Sequence, residues 1–492
     1  VNRRKVLKNL GLGLTAGLAL PPWLSSCSSP VDGPEISYDG TVGVIGAGVA
    51  GLFVADILMA KGIRVKILEA SNRLGGRIRS TKFQDDLPLI ADYPIELGAD
   101  VIYGKDSKWG EVVNLLGVPL IDFQTGATDR YKIDTGVFST SELSGDADFT
   151  AALNFYNNFK SSTPSASQTV QQVSAGLNTR VQAILNSWLG NMYGTSYDRI
   201  SAGALAQSMA EAEHDVTQAY ASLNSFENIL ISRFTRAVSA IQYERAVTSI
   251  DYSGEEIIVT DQNNVTESFG KVIVTTPLSI LKAGDINFSP SLPSSKVSAL
   301  NNLGMDACLR MIIEFKLNFW DGDVATNYLH GLTSAPTLLN ASLGRTIPND
   351  DPKTMVITVY GSKAEELSAL ADVDKVKQVL AELDELYEGK ATLQVRRDDS
   401  NPNNDTNILF VVQDWTNEPY IKGGVSYPKP GATAQDRMNL AEPVDGKLFF
   451  AGEATYYTHP DFDKNGEPGT LSGALLSAER CAQEVIDSIL NV

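Results

Sequence analysis

An α/β fold is predicted by three stretches of this 492-residue chain. In the first, an apolar strand, Val42-Gly43-Val44-Ile45, runs into Gly46-Ala47-Gly48-Val49-Ala50-Gly51, a Gly-x-Gly-x-x-Gly turn that opens an apolar helical run. In the second, Val65 to Leu68 reads as another buried strand and ends on Glu69, 23 residues after Gly46. The third lies near the other end, where Leu448-Phe449-Phe450-Ala451-Gly452-Glu453 reads as a buried strand with an acid at its tip.

Each part of the first unit has a physical job. Gly46 permits the tight turn, Gly48 lets backbone approach a pyrophosphate, and Gly51 lets helix pack close to strand. The helix N-terminus offers unpaired N–H groups and a positive dipole end to phosphate. Glu69 is placed to bond a ribose hydroxyl, which argues against a 2′-phosphorylated ligand. A second glycine turn follows at once, Ala70-Ser71-Asn72-Arg73-Leu74-Gly75-Gly76-Arg77. Its two guanidinium groups, Arg73 and Arg77, suit a pyrophosphate in charge and geometry; the competing reading is a basic surface loop. The C-terminal strand is followed by Pro468-Gly469-Thr470-Leu471-Ser472-Gly473-Ala474, a loop that starts a small-residue helix.

These pieces, with Glu96-Leu97-Gly98-Ala99-Asp100, Val272 to Leu278, Phe319-Trp320 and Asp414-Trp415, occur in an ordered series that resembles the FAD-dependent amine oxidase superfamily. That group holds monoamine, polyamine and L-amino acid oxidases, and the chain looks most like a bacterial L-amino acid oxidase. The resemblance implies a Rossmann-like FAD-binding domain with an inserted α+β substrate-binding domain. The FAD-binding domain is expected over 40–106, 238–292 and 438–492. The inserted domain is expected over 107–237, mostly helical, and 293–437. It also implies that FAD meets Ala70, Gly76, Gly98, Ala99, Asp100, the Val247 backbone, Trp415, Gly452, Glu453, Thr470 and Leu471. A helix with Val373, Val376, Leu380, Leu383 and Tyr387 on one stripe reads as packing without chemistry.

Three departures from relatives bear on the site. The stretch that carries a flavin-linking cysteine in monoamine oxidases reads Gly423-Gly424-Val425 here, so FAD is expected to bind without a covalent bond. The two tyrosines that frame the substrate there correspond to Ser426 and Thr470, which predicts a wider, more polar space with Val425, Ser426 and Thr470 at the substrate. Arg310 stands where many relatives have a lysine. It shares a strand face with Ile312 and Glu314, and two readings stay open. Either it pairs with Glu314 or solvent, or it is a fixed cation near the flavin that, with Trp415, takes part in catalysis, binding a substrate carboxylate or stabilising reduced oxygen.

Net charge is −19 and argues against a nucleic-acid partner, which needs a basic footprint. His214, His330 and His459 are scattered and pair with no cysteine at ligand spacing, so no metal is expected. Asn2-Arg3-Arg4-Lys5-Val6-Leu7-Lys8 resembles a twin-arginine export signal, and Leu24-Ser25-Ser26-Cys27 a lipoprotein cleavage box with Cys27 as lipid acceptor. Residues 1–27 are read as that signal and 28–39 as a linker, giving a periplasmic or cell-surface protein that is lipid-anchored or free. The remaining cysteines, Cys308 and Cys481, make no disulfide framework. The expected activity is oxidation of L-amino acids, with molecular oxygen as second substrate. Polyamine or primary-amine oxidation is the alternative, and a non-oxidase flavoprotein the third. Oligomerisation is left open.

Overall fold

The computed structural model describes residues 35–81, 91, 93–211, 218–345, 353–398, 407–458 and 466–491. The signal, Cys27, most of the 28–39 linker, His214 and His459 lie outside the described residues.

Within them, the glycine turn joins the strand Thr41–Ile45 to the helix Val49–Ala60, and the chain returns as the strand Arg64–Leu68. The helix has ten buried residues because it is covered on several sides, including by the long C-terminal helix Leu471–Leu490. Gly46 adopts φ 109°. A Cβ on Gly51 would lie 2.0 Å from the Gly46 carbonyl oxygen, so only glycine permits this approach of helix to strand.

The central sheet is five-stranded and wholly parallel, in the order Leu448–Phe450, Lys271–Val274, Thr41–Ile45, Arg64–Leu68, Ile241–Gln242. Its strands come from three well-separated stretches of chain. Phe449, Ile273 and Val44 fill one face against the helices, while Phe450, Val274 and Val272 pack the other against a four-stranded sheet containing Val247–Asp251. Near-continuous apolar runs suit strands buried on both faces.

A seven-stranded sheet forms a second body, ordered Phe410–Asp414, Cys308–Phe315, Lys353–Tyr360, Thr337–Asn340, Ala325–His330, Ala127–Ile133, Gly136–Ser139. All eight residues of Cys308–Phe315 are buried. Leu309, Met311 and Ile313 face one core, which the helix Asp372–Leu386 covers through Val376, Val379, Leu380 and Leu383. Arg310, Ile312 and Glu314 fall on the other side, with Ile312 packed near Leu97.

The segment 107–237, expected to be mostly helical, also carries strands. Ala127–Ile133 and Gly136–Ser139 form a hairpin on the sheet edge, and Ala219–Ser222 pairs with Leu120–Asp122. Tyr131 and Ile133 alternate inward while Asp134 takes the positive-φ turn position, a short period-two signal amid helical neighbours. Between Ser222 and Ile241 the chain forms two helices, Phe226–Arg233 and Thr235–Ser239.

Replacing Gly51 with alanine is expected to lower unfolding free energy by about 1–3 kcal/mol, the usual cost of overpacking a backbone contact. A chemical denaturation midpoint equal to that of the parent would show that the strand–helix approach tolerates a Cβ.

Candidate active site

The two bodies meet around one cavity of about 1080 Å³, above the roughly 300–1,000 Å³ of sites for a single small ligand. Along one part it is lined by Gly46, Gly48, Glu69, Arg73, Gly76, Arg77, Gly98, Val247 and Gly452. Along another it is lined by aromatic side chains of the helical segment and the seven-stranded sheet.

The nucleotide part is built by backbone interlock. Gly75 donates its N–H to the Ala47 carbonyl at 2.9 Å, and Gly48 and Gly75 form a parallel bridge, so the second glycine turn is docked on the first. A Cβ added at Gly48 would meet nothing within 4 Å, which leaves open space over the helix N-terminus, as a phosphate cradle requires. Glu69 is buried at the end of its strand. Its carboxylate accepts from the Ala47 N–H at 2.7 Å and from Ser71 N–H and hydroxyl at 2.9 and 2.7 Å. A carboxylate has about four acceptor positions, so room for one ribose hydroxyl remains.

Arg73 and Arg77 both line the cavity, and neither belongs to a solvent loop. Arg73 donates to the Leu74 and Ile78 carbonyls and stands 5.7 Å from the Trp415 ring centre. Arg77 donates to the Gly424 carbonyl and to Glu453 at 3.0 Å. Ala70, Ala99, Asp100, Val247, Trp415, Thr470 and Leu471 are lining residues too. The Trp415 indole N–H is committed to the Leu97 carbonyl at 2.8 Å, so its ring face, not its donor, is what the cavity receives.

The expected polarity of the substrate region is corrected at two positions. The Ser426 hydroxyl donates to Glu453 and accepts from Arg437 at 2.9 Å. The Thr470 hydroxyl caps the helix Leu471–Leu490, accepting from Gly473 N–H at 3.0 Å and donating to the Glu467 carbonyl at 2.7 Å. Both hydroxyls are held by the protein, so neither position adds much polarity. Val425 lines the wall with no nucleophile. Cys308, nearby on the same wall, has its thiol pushed up to about 12 by burial and stays protonated.

Arg310 is neither exposed nor paired with Glu314. It is buried and donates to the Gly98 carbonyl and to Asp100. Glu314 pairs instead with Arg396 at 2.6 Å, because that end of the strand lies beyond the cavity. Asp100, expected at the cofactor, is thus the counter-charge of Arg310 and helps hold its guanidinium protonated against burial.

Aromatic rings dominate the rest. Tyr131, His330 and Tyr328 stack in succession, with centres 5.6 and 5.5 Å apart, and the Trp188 edge meets Tyr131. Tyr103, Tyr156, Tyr193 and Tyr360 complete the wall, with Asp129, Glu467 and, at the exposed end, Glu211. His330 bonds the Ser187 hydroxyl at 2.8 Å and lies 3.7 Å from Asp129. Sequence reasoning missed these tyrosines because the irregular helical segment gives no register that says which residues face inward. It also missed Arg437, whose donors go to Ser426 and to the Ala454 carbonyl.

A family model described as flavin containing amine oxidoreductase matches residues 49–486. Among curated proteins, the chain is 25% identical to "Lysine-specific histone demethylase 2" of Homo sapiens over 92% of this chain and 54% of that one. It is 27% identical to "Protein FLOWERING LOCUS D" of Arabidopsis thaliana over 92% and 56%. The chain spans about half the length of these curated relatives. Among solved structures, it superposes on cyclohexylamine oxidase from Brevibacterium oxydans IH-35A with a TM-score of 0.75 at 20% identity, covering 92% of this chain and all of that one. Putrescine oxidase bound to putrescine matches with a TM-score of 0.74 at 16% identity, over 91% and 99%. These structural likenesses establish a shared fold. The cavity's open glycine cradle and remaining Glu69 acceptor fit the FAD that the family carries.

Substitution of Asp100 by asparagine leaves the Arg310 guanidinium buried without its counter-charge. A loss of about 3 kcal/mol in unfolding free energy is expected, read from urea denaturation of the Asp100→Asn protein against its parent. Unchanged stability would show that the pair is not coupled.

Proposed function

The chain belongs to the flavin-containing amine oxidoreductase family, and from that premise we propose that it is an FAD-dependent oxidase of small amines. Oxygen is the second substrate, and a carbonyl compound, ammonia and hydrogen peroxide are the products. Bound FAD supplies the acceptor for the hydride of the substrate's α-carbon. The chain's residues do the rest. Gly46, Gly48 and Glu69 hold the adenosine and phosphate portion, Gly51 lets the helix close on the strand behind them, and Arg73 and Arg77 compensate phosphate charge. Trp415, Tyr360 and Val425 wall off the reacting end, and the tyrosine-lined chamber excludes water and orients the amine.

One observation carries this reading: the chamber is walled by tyrosines and acids, and Arg310 on that wall already has Asp100 as its partner. Electron-rich ring faces together with Asp129 and Glu467 favour a cation. An L-amino acid is the second reading. It is supported by the Arg310 Nε, which is buried and has no hydrogen-bond partner among the described residues; that edge suits one carboxylate oxygen. Export by the twin-arginine-type signal, with lipid anchoring at Cys27, is proposed from residues 2–27 of the sequence alone.

Peroxide release is to be measured with a panel of L-amino acids and their decarboxylated amines. Amines are expected to show kcat/KM higher on the order of tenfold or more, since a carboxylate would face the chamber's acids. Turnover of amino acids alone would remove the amine reading and return Arg310 to a carboxylate role. Flavin bleaching by amines without peroxide in air would make the protein a dehydrogenase.

A further inference from the structure

One acid of the chamber has no counter-charge among the described residues. Glu467 lines the cavity, and its carboxylate has no hydrogen-bond or ionic partner among the described residues. Its main chain is fixed. The carbonyl accepts from the Thr470 N–H and hydroxyl, and it lies so close to the first turn of Leu471–Leu490 that a Cβ on Gly473 would sit 2.1 Å away. Gly469, two residues on, packs against Val425, which also lines the cavity. The carboxylate is therefore presented to the cavity from a turn whose main chain is held.

Among the described residues, the tyrosines near enough to sense Glu467 are Tyr103 from the strand Ile102–Tyr103, Tyr156 from the helix Ala147–Phe159 and Tyr193 from the 3₁₀ turn Asn191–Tyr193. Each of these feels its charge. Tyr456 packs against the same turn at Gly466 and Gly473. Burial raises the hydroxyls of Tyr103, Tyr156 and Tyr193, so they stay neutral. Behind Tyr103 stands the Asp100–Arg310 pair. None of the described facing groups offers Glu467 a cation of its own, and burial pushes its carboxyl up to about 7.

An alkylammonium arrives charged, with a pKa near about 10. It must become a free amine before its α-carbon can give up a hydride, because the nitrogen lone pair stabilises the positive charge that hydride loss leaves. In a chamber that strips water from both ions, moving one proton from nitrogen to carboxylate converts a buried ion pair into two neutral groups, which lowers the desolvation penalty on each. We propose that Glu467 is the proton acceptor for the incoming substrate ammonium. An N–H bond breaks with its electron pair staying on nitrogen, and an O–H bond forms on the Glu467 carboxylate. The inference rests on the amine-oxidase reading and specifies the protonation states in which substrate and enzyme meet.

The test counts protons. Titration calorimetry at pH 8 in two buffers of different ionisation enthalpy uses FAD-loaded protein and 2-phenylpropan-2-amine, which has no α-hydrogen and binds without turnover. The parent is expected to release close to zero protons per amine bound, because the proton stays inside the complex. Glu467→Gln is expected to release close to one, because it must take the amine already neutral. Equal release by both proteins overturns the proposal.

The pH profile of kcat/KM with an oxidisable amine gives an independent reading that holds even if Glu467→Gln fails to fold. Ionised Glu467 exists above about 7, and the ammonium exists below about 10, so the parent should show a bell between them. A single limb rising to the amine pKa in the parent overturns the proposal. Glu467→Asp should keep the bell, and Glu467→Gln should lose the limb near 7. If no amine is oxidised, the oxidase reading fails, while the proton count still reports on Glu467.

Discussion

The close approach of backbone to backbone at the two glycine turns is the constraint on which the structure depends. Gly51 sits against the Gly46 carbonyl where no Cβ fits, and Gly75 bonds to Ala47 beside Gly48. Side chains cannot create such a surface, because they would occupy the space they were meant to leave. The result is a groove floored by main-chain amides, into which Glu69 and the two arginines then reach. The sheet, the covering helices and the long C-terminal helix all hold this contact at its required distance.

That dependence explains what could be read in advance. Glycines, the acid closing the second strand and the arginine-flanked turn were legible because backbone geometry restricts residue type position by position. Partnerships across the fold were not. Arg310 and Glu314 lie on one strand face as period-two reasoning requires, yet they part company because Asp100 and Arg396 approach from different elements. Ser426 and Thr470 both line the cavity. What their hydroxyls do depends on Glu453 and on a helix start, neither of which spacing reveals. The hairpin within 120–139 was hidden for another reason: strands this short carry few periods of alternation and sit among helical sequence.

An acidic, tyrosine-rich lining suits the cation proposed above without a fixed opposite charge at every point. Stacked rings around His330 give extended negative faces, while carboxylates at Asp129, Glu467 and Glu211 mark positions from within the chamber to its rim. Arg310 fits this picture as half of an internal pair. Its charge is compensated by Asp100, so it shapes the wall without repelling a positive ligand.

The assembly of the five-stranded sheet from three distant stretches has a consequence for biogenesis. Thr41–Ile45 gains its neighbour Lys271–Val274 only after more than two hundred intervening residues exist, and Leu448–Phe450 joins later still. Loop closures of that length slow folding and leave sheet edges open while the chain emerges from the ribosome. The nucleotide groove is thus completed only once Leu448–Phe450 has been made, and until then the glycine turns lack part of the sheet that holds them.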